Sequence, residues 1–234
     1  MPCRILFASI ALLAAASTLT NASDVVQETG VGVGTLIGQS EGGCGTLLMN
    51  SDSTYENGYS WSYGGIVPPY YGAFVECYEG PAKVCSVIAD LSSIPQQGGW
   101  YPVDVYVFGD NGGTPGAVIA SSLGNDTGGI AYWPEVSRHT FPLGTECIEG
   151  KFYVGVWWDA SSGIDRNFIA ADIDGFGGGC PLTNVAPGIG YPTGWQDVSV
   201  AWPWTTAALG IGAEVNPCAT PTTVTTWGRI KSLF

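Results

Sequence analysis

Three constellations in this sequence combine residue types and spacings that could do chemistry. Gly38-Gln39-Ser40-Glu41-Gly42 matches G-x-S-x-G, the turn that presents a nucleophilic serine between a strand and a helix, with a histidine later in the chain to take its proton. His139 is the single histidine of the 234 residues. Glu-Gly-Gly-Cys-Gly follows Ser40, and glycine opens helices poorly, so the segment reads as a glycine-rich loop rather than a nucleophile elbow. A lone histidine also excludes a multi-imidazole metal centre, and the run Gly30–Gly38 has neither the G-x-G-x-x-G spacing nor the helix of a dinucleotide site.

Asp172-Ile173-Asp174-Gly175 is the second constellation. Two carboxylates two residues apart, followed by glycine, gather hard oxygen donors in one turn, which is what calcium prefers. Asp172 and Asp174 are therefore candidate calcium ligands, with Asp165 and Asp197 as further donors, although the longer ligand series of a twelve-residue calcium loop is missing. No motif requires a cofactor. Glu56, Glu76, Glu79, Glu135 and Asp159 neighbour aromatic residues and are candidates for the facing carboxyl pair of a glycosidase. They lack the spaced acidic strand motifs of jelly-roll glycosidases.

The third constellation is aromatic. Trp61, Tyr70, Tyr71, Trp133, Trp195, Trp202 and Trp204 belong to a larger aromatic set that mostly lies beside glycine or proline, in or next to expected loops. A flat ring held on a loop can stack on the apolar face of a sugar while neighbouring Asp and Asn bond its hydroxyls. The same rings could instead close the ends of a hydrophobic core.

Composition narrows the choice. The formal net charge is −13, which repels nucleic-acid backbones and anionic lipid and suits cations. Charged residues make up 12% of the chain, about half the usual share, while aromatics also reach 12%, so this is a folding chain and not an acidic disordered one. Met1–Arg4, the apolar run Ile5–Ala16 and the small polar residues Ser17–Ala22 have the layout of a secretory signal peptide, residues 1–22, too short to span a bilayer stably. The expectation is a protein that is secreted or held at the cell surface, with no membrane span in the mature chain. Apart from Cys3 there are six cysteines, Cys44, Cys77, Cys85, Cys147, Cys180 and Cys218, an even number that in an exported chain implies three disulfides. Cys77 and Cys85 flank Glu79-Gly80-Pro81 and are the expected local pair, the other pairings being open.

The elements that must position these groups read as strands. Val103, Val105 and Val107 alternate with Asp104 and Tyr106, and Phe152, Val154, Val156 and Trp158 recur at every second place. Further short runs of strand formers over 59–63, 73–78, 83–91, 117–121, 167–172 and 207–215 are separated by turn residues, and nothing shows a helical period. The expected fold is all-β, an antiparallel sandwich or jelly roll over 44–215. A Gly-rich arm, 23–43, precedes it as an edge strand or flexible lead-in, and a Pro/Thr linker, 216–226, leads to a small basic and apolar tail, 227–234. In Asp110-Asn111-Gly112-Gly113-Thr114-Pro115-Gly116 every residue type is explained by a tight reversal.

That D-x-G-G-x-P-G turn, with its strands in VYVFGDNGGTPGAVIA (105–120) and the later KFYVGVW (151–157), resembles a pattern in many secreted bacterial β-sandwich domains without assigned activity. The terminal TWGRIKSLF is similar to tails that serve as C-terminal sorting signals on exported bacterial proteins. The resemblance implies fold and location, with sorting machinery as a partner of the tail. The functional expectation is a non-catalytic binding or structural module, with a polysaccharide or surface glycan as ligand. The competing readings are an extracellular polysaccharide hydrolase or lyase and a calcium-dependent adhesion or assembly subunit.

Overall fold

The computed structural model describes residues 25–30, 32–37, 44–62, 70–94, 100–160, 167–175 and 178–218. Strands β1 (Val26–Glu28), β2 (Gly34–Ile37), β3 (Thr46–Met49), β4 (Thr54–Tyr55), β5 (Asn57–Trp61), β6 (Phe74–Glu79), β7 (Lys83–Ser92) and β8 (Val103–Asp110) form the first half. Then come β9 (Pro115–Asn125), β10 (Glu135–Pro142), β11 (Lys151–Trp157), β12 (Phe168–Asp172), β13 (Leu182–Val185), β14 (Gly194–Asp197), β15 (Ala208–Leu209) and β16 (Ile211–Asn216). They build two sheets. Sheet A runs β1-β5-β12-β7-β10-β2-β4, with β15 beside β12 and β16 between β7 and β3; sheet B runs β14-β13-β6-β11-β8-β9. β2 is parallel to β10, and the other strand pairings among the described residues are antiparallel.

The two sheets face each other because each is apolar on one side at a period of two. Val103, Val105 and Val107 of β8, Phe152, Val154 and Val156 of β11, and Val87, Ala89 and Leu91 of β7 all point into one buried cluster. Its centre is aromatic: Trp202 stacks on Tyr59 with ring centroids 4.7 Å apart and meets Trp61 edge-on at 4.9 Å. Their indole N–H groups are satisfied internally, Trp61 Nε1 donating to Thr183 Oγ1 at 2.7 Å and Trp202 Nε1 to the Gln27 carbonyl at 3.1 Å. Trp61 and Trp202 are thus corrected as ligand-stacking candidates. Both lie beside turn residues in the sequence, yet they project between the sheets, and protein covers their faces.

The Asp110–Gly116 segment is the β8–β9 reversal. Gly112 and Gly113 take φ of +68° and +98°, the left-handed region that favours glycine, and their N–H groups donate to the Asp110 carboxylate at 3.1 and 3.0 Å. Those bonds, the one from Gly113 foremost, hold the Asp110 carboxyl below its ordinary range.

Three disulfides join Cys44 to Cys85, Cys77 to Cys180 and Cys147 to Cys218, with Cα separations of 6.1, 5.7 and 5.6 Å. The expected Cys77–Cys85 pair does not form. β6 belongs to sheet B and β7 to sheet A, so the chain between them crosses from one layer to the other instead of making a hairpin. The Gly-rich lead-in also enters the sheet: β1 is an edge strand on β5, while β2 is enclosed between β10 and β4. Residues 1–22, Ser40 and the tail 227–234 lie outside the described residues; of the linker, Asn216 closes β16 and Cys218 is cross-linked.

Two buried charged groups complete the frame. Asp90 on β7 faces Arg138 directly across the strands, in a bidentate pair at 2.8 and 2.6 Å, and Tyr55 donates its hydroxyl to the same carboxylate. Gly210 separates β15 from β16 at this point, and a Cβ there would lie 2.8 Å from the Asp90 Cβ. Glu76, on the inner face of β6, accepts from Leu209 N at 2.7 Å and from Cys180 N and Asn50 Nδ2 at 2.9 Å, tying sheet B to β15 of sheet A.

Candidate functional site

The residues of β8 and β11 that alternate with the core positions form the outer face of sheet B. Tyr106, Phe108, Tyr153 and Val75 pack there as a second cluster, with Tyr70, Trp157 and Trp195 partly buried against it. Strand register brings the polar groups alongside: Trp157 lies opposite Asp104, and Tyr106 opposite Ser121. Between them opens a cleft of about 280 Å³ lined by Tyr70, Asp104, Tyr106, Ser121, Leu123 and Trp157.

Each wall is held in place. Tyr70 adopts φ of +60°, a left-handed conformation that costs a non-glycine residue about 1 kcal/mol, and its ring packs edge-on against Tyr106 at 4.7 Å and Phe108 at 5.6 Å. The Trp157 indole donates to the Tyr71 carbonyl at 2.9 Å, which fixes its plane. Asp104 accepts from Gly124 N at 2.6 Å and from the Tyr106 hydroxyl at 3.1 Å, so its carboxylate cannot swing away, yet each oxygen keeps a lone pair. Leu123, 64% exposed, forms the outer wall. The arrangement offers aromatic faces, a carboxylate and a hydroxyl within one concavity, the composition of a small-molecule site.

The other expected ligand residues lie elsewhere. Tyr71 is half-buried beside the main core, Trp133 packs beside Tyr55 and Val136, and Trp195 sits edge-on to Phe108 at 5.9 Å. Trp204, 37% exposed, donates its indole N–H to Glu28 at 3.2 Å on the sheet A side. The structure thus brings Tyr70 into the cleft and adds Asp104, Tyr106, Ser121, Leu123 and Trp157. The signal for Asp104 and Tyr106 was present in the Val-x-Val-x-Val alternation, which marks them as the face turned away from the core.

The acidic turn gains one member from the bend between β4 and β5. Ligand oxygens of Asp172, Asp174 and Glu56 all lie within 4.8 Å of one another. Asp172 accepts from Gly175 N at 2.6 Å and Asp52 N at 2.9 Å, and Glu56 from Ile173 N at 2.8 Å. Burial, reinforced by the neighbouring carboxylates, raises the Glu56 and Asp172 pKa values. Asp197 instead accepts from Ser199 N at 2.8 Å in a short 3-10 turn, and Asp165 lies outside the described residues.

The candidate acids do not converge. Glu76 is between the sheets, Glu56 is in the acidic turn, Glu79 lies 4.0 Å from Lys151, and Glu135 and Asp159 are exposed on β10 and after β11; none lines the cleft. His139 bonds Ser137 Oγ at 2.8 Å through Nε2, and burial lowers its pKa.

Fold and cleft together define an all-β, disulfide-linked sandwich with a ligand-sized concavity on one outer face. No protein-family description matches the sequence, and no curated protein does. Among solved structures the chain is similar to the cysteine protease and lectin-like domains of Cwp84, a surface layer associated protein of Clostridium difficile, at 12% identity and a TM-score of 0.49. The match covers 74% of this chain and 36% of that one, so the present chain spans about a third of its length. Among the described residues no helix is long and apolar enough to cross a membrane.

Proposed function

We propose that this protein is an exported, cell-surface or secreted binding module whose sheet B cleft takes a carbohydrate ring. The observation that supports the reading is the cleft itself, where Tyr70 and Trp157 stand beside Asp104 and Ser121. Aromatic rings match the apolar face of a pyranose, and the carboxylate and hydroxyl match its equatorial hydroxyls. The disulfides are consistent with an oxidising compartment. Pull-down on insoluble polysaccharides and a glycan array test the reading. Trp157→Ala is expected to weaken retention about tenfold, the equivalent of ~1.4 kcal/mol of lost stacking, with thermal melting as the control for folding. Absence of retention on every glycan would leave a purely structural role.

A second reading, calcium binding at the acidic turn, draws on Glu56 joining Asp172 and Asp174. Oxygen-only donors suit a hard cation, and a bound ion would relieve the mutual repulsion of the carboxylates. Calcium at a hundredfold excess over its dissociation constant is expected to stabilise the fold by about 2.7 kcal/mol, read as a rise in Tm that Asp174→Asn reduces. A Tm indifferent to calcium would remove this reading and leave the cleft untouched.

A further inference from the structure

The cleft carries more information than its aromatic content. Resting on the carbohydrate reading, we infer that it prefers a sugar ring bearing a free, protonated amine, and that Asp104 sets this preference.

Size limits the occupant first. About 280 Å³ falls just below the ~300–1,000 Å³ of pockets for drug-sized ligands, so the cleft suits one ring of a chain, or its terminal unit, better than an extended segment. Polarity limits it next. Asp104 supplies only acceptors and Ser121 a single hydroxyl, and among the described lining residues there is no Lys, Arg or His. A ligand carboxylate or sulfate would meet Asp104 with no cation to offset the repulsion, whereas an ammonium group would gain a charge-assisted hydrogen bond, stronger than a neutral one. The acetamide of an N-acetylated ring would give up that charge. Beyond the cleft, the net charge of −13 concentrates cationic ligands near the surface.

Rigidity sharpens the discrimination. The Asp104 carboxylate is clamped between Gly124 N and the Tyr106 hydroxyl, and Trp157 lies directly opposite on the neighbouring strand. A ring stacked on the Trp157 indole therefore presents one edge to Asp104. A carboxylate that cannot turn away rewards a cation and penalises an anion at that edge.

The test is calorimetry on the full chain with four short oligosaccharides: glucosamine, N-acetylglucosamine, neutral glucose and galacturonate oligomers. Working near pH 5 keeps the amine charged although the neighbouring ring oxygens make it more acidic than an ordinary amine, while the galacturonate stays ionised. The glucosamine oligomer is expected to bind about tenfold tighter than its N-acetylated counterpart, with the galacturonate weakest. Asp104→Asn keeps a carbonyl to accept from Gly124 N, so the loop survives; it is expected to abolish the preference, the glucosamine oligomer then binding no tighter than its N-acetylated counterpart. Glu79→Gln removes the same charge from an exposed position outside the cleft and is expected to leave the ratio unchanged, which separates Asp104 from a general attraction of polyamines to an acidic protein. Neutral or N-acetylated oligomers binding as tightly as glucosamine would overturn the inference while sparing the carbohydrate reading, as would an Asp104→Asn protein that keeps the preference. Failure of all four to bind would overturn both.

Discussion

Arg138→Met is expected to lower the free energy of unfolding by about 3–5 kcal/mol, the cost of stranding one partner of a buried ion pair. Asp90 is fully buried, and its two oxygens are occupied by the Arg138 guanidinium and the Tyr55 hydroxyl. Removing the cation leaves a carboxylate held by one neutral donor in a place water does not reach. The location amplifies the effect. β7 is the strand on which β10, β12 and β16 all pair, and Arg138 is the side chain that β10 presents opposite Asp90. In a domain of this size such a loss corresponds to a fall in Tm of roughly 10 °C. Urea unfolding of Arg138→Met, Asp90→Leu and the double variant decides the point. The double variant is expected to be more stable than Arg138→Met alone, because it removes the unpaired charge along with its partner. A single variant within about 1 kcal/mol of the wild type would show that Asp90 finds another partner.

Glu76 gives the second large effect, one of pH. Burial raises its pKa to about 7, against the opposing pull of the hydrogen bonds it accepts from Leu209, Cys180 and Asn50. A carboxyl group whose pKa is raised on folding contributes stability that is complete below its unfolded value of about 4.5 and is lost as pH rises through about 7. Between pH 8 and pH 5 the wild type is therefore expected to gain about 2–3 kcal/mol relative to Glu76→Gln, which cannot ionise. Comparing the two proteins cancels the contribution of His139, whose depressed pKa works in the opposite direction on acidification. The measurement is denaturant unfolding at several pH values. Parallel pH profiles for the two proteins would mean that Glu76 stays ionised in the fold.

The acidic turn and the cleft illustrate different kinds of legibility. Asp172 and Asp174 were visible as a local pattern, since two residues of separation in one turn bring carboxylates together without help from the rest of the chain. Glu56 was not, because it reaches them through the antiparallel pairing of β5 with β12, more than a hundred residues away in sequence. In the same way Tyr70 could be named from its place beside a turn, whereas Trp157 stood out only as the last residue of the KFYVGVW strand. Its outward orientation follows from the same alternation, but its partner Asp104 follows from the β8–β11 register.

Local physics was enough to specify the two-layered all-β class, the reversal at Asp110–Gly116 and the valine faces of β8 and β11, because side-chain alternation and backbone dihedral preferences act between residues a few places apart. Which cysteines meet, which tryptophans are sealed inside, and which carboxylate stands beside which aromatic ring depended on the order in which strands enter the two sheets. That order is settled by contacts distant in sequence: the crossing of the chain between β6 and β7 separates Cys77 from Cys85, and the closing of the layers hides Trp61 and Trp202 while leaving Trp157 at the cleft. Burial is a property of the assembled layers, and no short window of sequence contains it.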